Sequence, residues 1–389
     1  MKKIMNGKYM MAVIFLLIIL ALFLANFSSL WNIVKAEVVA ILSNNTENRI
    51  MEPAEMEASY DGNFYKRMAF VNINGLAHRA MGQKIMNGAI RGENENLFLE
   101  ADVDFKFDKD LEDSNLEDAL SILNIAETKG AEVLYVQRPM KFIEGKDQLP
   151  YGMTVEYNQQ YDYWCKKIKE SGINVIDLRE EIGDNIDFYK TDHHWTVETS
   201  FEAAGAIMEA LNRYSGDDFD YNESIFEKSN YNLMRYDNSF LGSEGVKTGE
   251  YYVGKDNFNV LVPKFETKIT FKHYVDNECT IDKTGEFSKA FIDEDILLNP
   301  DYYNKYNACI YGGYVESIIE NKKGGNGKKV LLISDSFARP MVMYFSLAFS
   351  ETRYLDPQEG RYNDSYIDYI DEYQPDVVVM MYTGAFVEV

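Results

Sequence analysis

The sequence predicts an α/β domain in three layers, a mainly parallel sheet between two layers of helices, with an inserted β-rich lobe and one N-terminal transmembrane helix. Three observations predict it. Five short β-rich apolar runs alternate with helical patterns, a stretch rich in Tyr, Asn and Asp breaks that alternation between 215 and 327, and residues 10–34 carry no charge.

The N-terminus sets the compartment. The uncharged stretch is long enough to cross a hydrocarbon core as a helix. Lys2, Lys3 and Lys8 precede it, so the positive-inside rule leaves residues 1–9 in the cytoplasm and the body outside, anchored in the cell membrane. The stretch exceeds a signal-peptide core and is read as an uncleaved anchor; a cleavable signal would end at Val34-Lys35-Ala36. Residues 35–68, with NNTEN and EPAEMEAS, form a polar spacer.

The first part of the α/β domain spans 69–214. Ser114-Asn115-Leu116-Glu117 reads as a capping box, with Leu116, Leu120 and Leu123 at helical spacing behind it. AEVLYVQ (131–137) follows as a buried strand, then a helix over 155–170 ended by Ser171-Gly172, then the strand INVIDL (173–178). Val197, Phe201, Ala204, Met208 and Leu211 share one face of the next helix. Residues 215–327 are the insertion, where FLGSEGVKTGEYYVG and NFNVLVPKFETKITFKHYV predict short antiparallel strands and turns. The domain resumes over 328–389 with the strand KKVLLI (328–333), a helix through Phe349, TRYLD (352–356), a helix near 363–373 and DVVVMMY (376–382). Strands separated by helices imply right-handed crossovers and a parallel sheet covered on both faces.

Composition narrows the function. Hydrophobic residues at 46% and charged residues at 26% of 389 exclude a disordered chain and a polytopic membrane protein. The net charge is -24 although the first 36 residues are basic, and such a surface repels phosphate backbones, which argues against a nucleic-acid partner. Cys165, Cys279 and Cys309 are too few for a disulfide framework or a zinc ribbon, leaving room for one bridge, Cys279 with Cys309. Neither a cofactor nor a metal is expected. Imidazole is scarce, with only His78, His193, His194 and His273, and a metal phosphoesterase of the Asp-His-His type would need further Asp and His clusters.

Two motifs carry chemistry. In Thr191-Asp192-His193-His194-Trp195-Thr196, an extended backbone would put Asp192 and His194 on one side and point His193 away. A carboxylate on one imidazole nitrogen fixes the tautomer and leaves the other as a base. The structural alternative is that Asp192 or Thr196 merely caps the following helix. The second motif, VLLISDSFARP, runs a strand into Ser334-Asp335-Ser336 and then into a helix with Pro340 in its first turn. A serine there sits at the carboxyl edge of the sheet, where α/β proteins bind ligands, and helix-start N–H groups can hold an oxyanion. A Ser/Asp cap is again the alternative. Together the motifs predict a Ser336-His194-Asp192 triad.

These residues resemble a family. Asp192-His193-His194-Trp195 is the motif of the DHHW proteins, which resemble SGNH-hydrolase-like alginate and exopolysaccharide O-acetyltransferases, and FVNINGLAHRAMGQKIMNG (70–88), GENENLFLE (92–100), FLGSEGVKTG (240–249), YGGYVES (311–317), LLISDSF (331–337) and YQPDVVVMMY (373–382) resemble its blocks in order. The resemblance implies a flavodoxin-like SGNH fold, with Asp192 as orienter, His194 as base and Ser336 as nucleophile, Ser334 standing where SGNH proteins have Gly. It offers Gly312 or Gly313 beside the Ser336 N–H as oxyanion donors, and Arg138, Lys141 and Trp195 as further substrate or oxyanion contacts. It implies a polysaccharide acceptor and a membrane-bound O-acyltransferase as acyl-donor partner. A carbohydrate esterase or deacetylase would use the same triad, and a non-catalytic polysaccharide-binding or assembly protein would use none of it.

Overall fold

The computed structural model describes residues 7–43, 59–60, 62–215, 219–275, 277–313, 315–359 and 366–386. The chain forms two units, Met1–Leu76 and Ala77–Val389. In the first, α1 (Gly7–Ser43) contains a candidate membrane span, Tyr9–Ala36, of mean hydropathy 2.8. Its apolar side chains, Phe15, Leu16 and Leu24 among them, are exposed. At about 1.5 Å per residue the helix outreaches a hydrocarbon core of about 30 Å. The expected spacer therefore begins as helix up to Ser43; residues 44–58 and 61 lie outside the described residues. α2 spans Arg67–Ala80.

In the second unit, β1 (Ile85–Met86), β2 (Ala89–Arg91) and β3 (Leu97–Leu99) form a small antiparallel sheet. The central elements follow as α3 (Lys109–Thr128), β4 (Glu132–Gln137), α4 (Tyr157–Glu170), β5 (Asn174–Asp177) and α5 (Val197–Ser215). Next come β6 (Tyr231–Phe240), α6 (Ser243–Thr248), β7 (Asp256–Pro263), β8 (Ile269–Val275), β9 (Glu278–Gly285) and β10 (Glu316–Asn321). The chain closes with β11 (Lys329–Ser334), α7 (Ala338–Phe345), β12 (Glu351–Leu355), α8 (Tyr366–Tyr373) and β13 (Val377–Met381). The eight-stranded sheet has the order β5-β4-β13-β11-β12-β10-β8-β9, parallel from β5 to β12 and antiparallel beyond.

Alternate residues of the central strands enter two different cores. Leu134, Val136, Leu332 and Val379 join α5 and α7 on one face, while Val133, Tyr135, Leu331 and Val378 join α3, α4 and α8 on the other. Both faces are thus covered, and the strands read as unbroken apolar runs. The expected SGNH-like α/β fold with a mainly parallel sheet is the one observed.

Four local expectations change. α3 starts at Lys109, where extended Asp108 accepts from the N–H groups of Asp110 and Leu111, so Ser114-Glu117 lies inside the helix and caps nothing. Among the described residues of 215–327, only β6 and β7 form a ribbon of their own; β8, β9 and β10 extend the central sheet instead of building a separate lobe. FLGSEGVKTGEYYVG is helical over Ser243–Thr248 and Glu250–Val253, because Gly249 and Gly254, at φ 83° and 88°, end each turn of helix. All three cysteines are free, with Cys309 buried and Cys279 exposed, so the expected bridge is absent.

Candidate active site

β11 ends at Ser334, whose hydroxyl donates to the Met381 carbonyl on β13 (2.9 Å) and ties the turn to the sheet. Asp335 then caps the turn, one carboxylate oxygen accepting from the Phe337 N–H (3.1 Å). The other oxygen accepts from Arg138 Nε and Nη2 (3.1 and 2.7 Å), and the guanidinium lies 4.0 Å from the Phe337 ring centre. With the capping work done by Asp335, the hydroxyl of half-buried Ser336 is left over. Its Oγ is 2.8 Å from His194 Nε2. The Ser336 backbone N–H has no partner among the described residues.

A set of hydrogen bonds holds the second motif. Asp192 Oδ1 is 2.5 Å from His194 Nδ1 and accepts from the His194 N–H, while Oδ2 accepts from the Ser243 N–H at the start of α6 (2.7 Å). Gly242 allows that approach, since an added Cβ would lie 2.2 Å from the Asp192 Cβ. Buried Lys141 donates to the Asp192 and Lys190 carbonyls (2.7 and 2.9 Å), and Asp256 accepts from Thr191. Thr196 accepts from the Thr199 N–H and so caps α5, leaving Asp192 to His194.

Burial opposes ionisation of Asp192, but the imidazoles of His194 and His193 and the hydrogen bonds it accepts outweigh this and hold its carboxyl well below the usual range. His194 is pulled down to about 4, by burial first and then by the neighbouring charge of His193. The site therefore pairs an ionised carboxylate with a neutral imidazole at neutral pH. Tyr306 stacks on that imidazole, with centroids 4.1 Å apart, and its hydroxyl donates to the Ser336 and Phe337 carbonyls (3.3 Å each).

The motif is a turn instead of an extended segment, so His193 does not point away: its ring lies 4.0 Å from that of His194, and its Nδ1 is 3.3 Å from Glu244 Oε1. Gly312 and Gly313 are poor oxyanion donors, because their N–H groups are spent on the Cys309 and Ile310 carbonyls (3.0 and 2.8 Å). Trp195 is fully buried, with Nε1 donating to the Phe337 carbonyl (3.0 Å), and has no surface to offer a substrate. Arg138 and Lys141 are buried and bonded to Asp335 and to the Asp192 carbonyl, so neither faces an open surface. Gly242, Ser243, Glu244 and Tyr306 are not singled out by the sequence: FLGSEG has the pattern of short strand and turn, and nothing local to Tyr306 marks it.

Asp192, His193 and His194 present ligand atoms within 4.8 Å of one another. A cation bound by all three would have to break the Asp192–His194 or His194–Ser336 contact, so the donor set fits a proton relay better than a metal.

Residues 90–232, which include Asp192 and His194 but stop short of Ser336, match the family model for an SGNH hydrolase-like domain of the acetyltransferase AlgX. Among solved structures, Bacillus cereus PatB1 with a sulfonyl adduct is similar at 18% identity and a TM-score of 0.58, over 75% of this chain and 94% of that one. PatB1 without the adduct gives 18% and 0.54, over 72% and 90%. A DHHW family protein from Eubacterium siraeum has 20% identity and a TM-score of 0.49, over 75% and 92%. No curated protein sequence matches.

Proposed function

From the SGNH hydrolase-like segment of acetyltransferase type at 90–232, we propose that this chain is a membrane-anchored, extracytoplasmic O-acetyltransferase acting on a cell-surface or secreted polysaccharide. The observation that carries the reading is the line Asp192 Oδ1, His194 Nδ1, His194 Nε2, Ser336 Oγ, with contacts of 2.5 and 2.8 Å.

Neutral His194 takes the Ser336 proton as Oγ attacks the acyl carbonyl of the donor, and Asp192 stabilises the imidazolium without accepting the proton. The Ser336 N–H is the donor we assign to the carbonyl oxygen as it becomes an oxyanion. His194 returns the proton to the leaving group, and an acyl-enzyme remains. A sugar hydroxyl then gives its proton to His194 and attacks the acyl carbon; the Ser336 oxygen departs and is reprotonated. A membrane-bound O-acyltransferase supplies the activated acyl group.

The test uses the full chain in detergent with a chromogenic acetyl ester, with and without an oligosaccharide analysed by mass spectrometry. Ser336→Ala and His194→Ala are expected to lower turnover by at least about 10³-fold. Acetyl on the sugar marks a transferase, and Ser336-dependent turnover that leaves the sugar bare marks an esterase. Equal turnover in wild type and both variants would refute the catalytic reading.

A further inference from the structure

Two imidazoles converge on Asp192. Its Oδ1 lies 2.5 Å from Nδ1 of His194 and 3.8 Å from Nδ1 of His193. The two rings are 4.0 Å apart and inclined by 35°. Both rings turn Nδ1 toward this one oxygen, which leaves the Nε2 of each ring for another partner. That of His194 meets Ser336 Oγ. That of His193 has no protein partner among the described residues, and its side chain is 25% exposed.

The orientation of His193 is built. Glu244, from the first turn of α6, is fully buried and places Oε1 on His193 Nδ1, while its Oε2 has no hydrogen-bond partner. A buried carboxylate is unfavourable unless paired, and among the described residues the imidazole is its one hydrogen-bonding side chain. The titratable groups that act on His193 are Asp192, Glu244 and Asp102, with the tilted ring of His194 beside it. Burial opposes its protonation, but Asp192 and then Glu244 outweigh burial and raise its pKa. Protonated, with Nδ1–H on Glu244, it presents Nε2–H as a donor next to the reacting base.

We propose that His193 selects the acyl acceptor: while His194 Nε2 takes the proton of the reacting hydroxyl, His193 Nε2 holds the neighbouring hydroxyl of the same sugar ring, so the preferred acceptor is a vicinal diol. This rests on the transferase reading above. The reacting hydroxyl forms the new ester bond and gives up its proton to His194, the Ser336 oxygen leaves and regains a proton, and the neighbouring hydroxyl is unchanged.

The experiment avoids any unidentified polymer. The full chain in detergent is given p-nitrophenyl acetate as donor and either cis-cyclohexane-1,2-diol or cyclohexanol as acceptor, and the acetate esters formed are quantified by mass spectrometry. One hydrogen bond is worth about tenfold, so the diol is expected to outcompete cyclohexanol by about that factor per hydroxyl. His193→Phe is expected to erase the preference, and His193→Gln and Glu244→Gln to reduce it. The ratio is internal to each variant, so a general loss of activity does not move it; if His193→Phe fails to accumulate, the other two variants decide. No preference in wild type, or the wild-type preference in every variant, overturns the proposal. Ser336-dependent release of p-nitrophenolate with no ester on either alcohol overturns the transferase reading itself, and this proposal with it.

Discussion

At the scale of single residues, charge and space around Asp192 set what the site can do. His194 can accept a proton only while neutral, and its pKa lies at about 4. As pH falls through that value the base becomes protonated, so kcat/KM is expected to hold through neutral pH and to fall below about pH 4. The positive charge of His193 contributes to that low value, against the opposing pull of Asp192, with Arg339 also acting on the ring. His193→Gln removes a like charge and is expected to move the acid limb to higher pH; an unmoved limb in a pH–rate profile would count against the coupling. Gly242 makes the complementary prediction about space. Its φ of -74° is open to any residue, but a methyl group would overlap the Asp192 side chain. Gly242→Ala is expected to cost about 1–3 kcal/mol of stability from overpacking and, by displacing Asp192, about 10²-fold in turnover. Thermal melts and ester kinetics on the same preparation check both.

At the scale of elements, what was legible depended on how each segment is buried. β4, β11 and β13 are covered on both faces and announce themselves as EVLYVQ, KVLLIS and VVVMM. β8 and β10 are only partly covered, and a pattern of that kind looks the same in an independent lobe as at the antiparallel margin of a larger sheet. The start of α3 was hidden for a different reason: its first turn, KDLED, is polar, with Leu111 exposed, so apolar periodicity begins only at Leu116. Asp108→Ala is therefore expected to weaken the helix start by about 1 kcal/mol, and Ser114→Ala to change it by less than about 0.5 kcal/mol. Amide exchange across residues 109–113 should quicken in the first variant alone. Asp192, His194 and Ser336 stand out in the sequence because each sits in a compact motif. Their supports, α6 and Tyr306, come from distant sequence and are joined to the motifs only by folding.

At the scale of the whole molecule, α1 and the α/β unit have separate compositional logic. A window of mean hydropathy 2.8 with exposed apolar side chains favours an apolar surrounding. The full chain is expected to stay with membranes through an alkaline carbonate wash, and a chain lacking residues 1–36 to be released; equal release of both would remove the anchor. The sheet order has a consequence for endurance. β11, which carries Ser336 at its end, lies fourth from the β5 edge and fifth from the β9 edge. Fraying begins at edges, where fewer contacts must break, and central strands open at a cost that approaches global unfolding. Adding β10, β8 and β9 beyond β12 moves β11 deeper from that side, so the backbone that leads into Ser336 belongs to the part of the molecule that local opening reaches last.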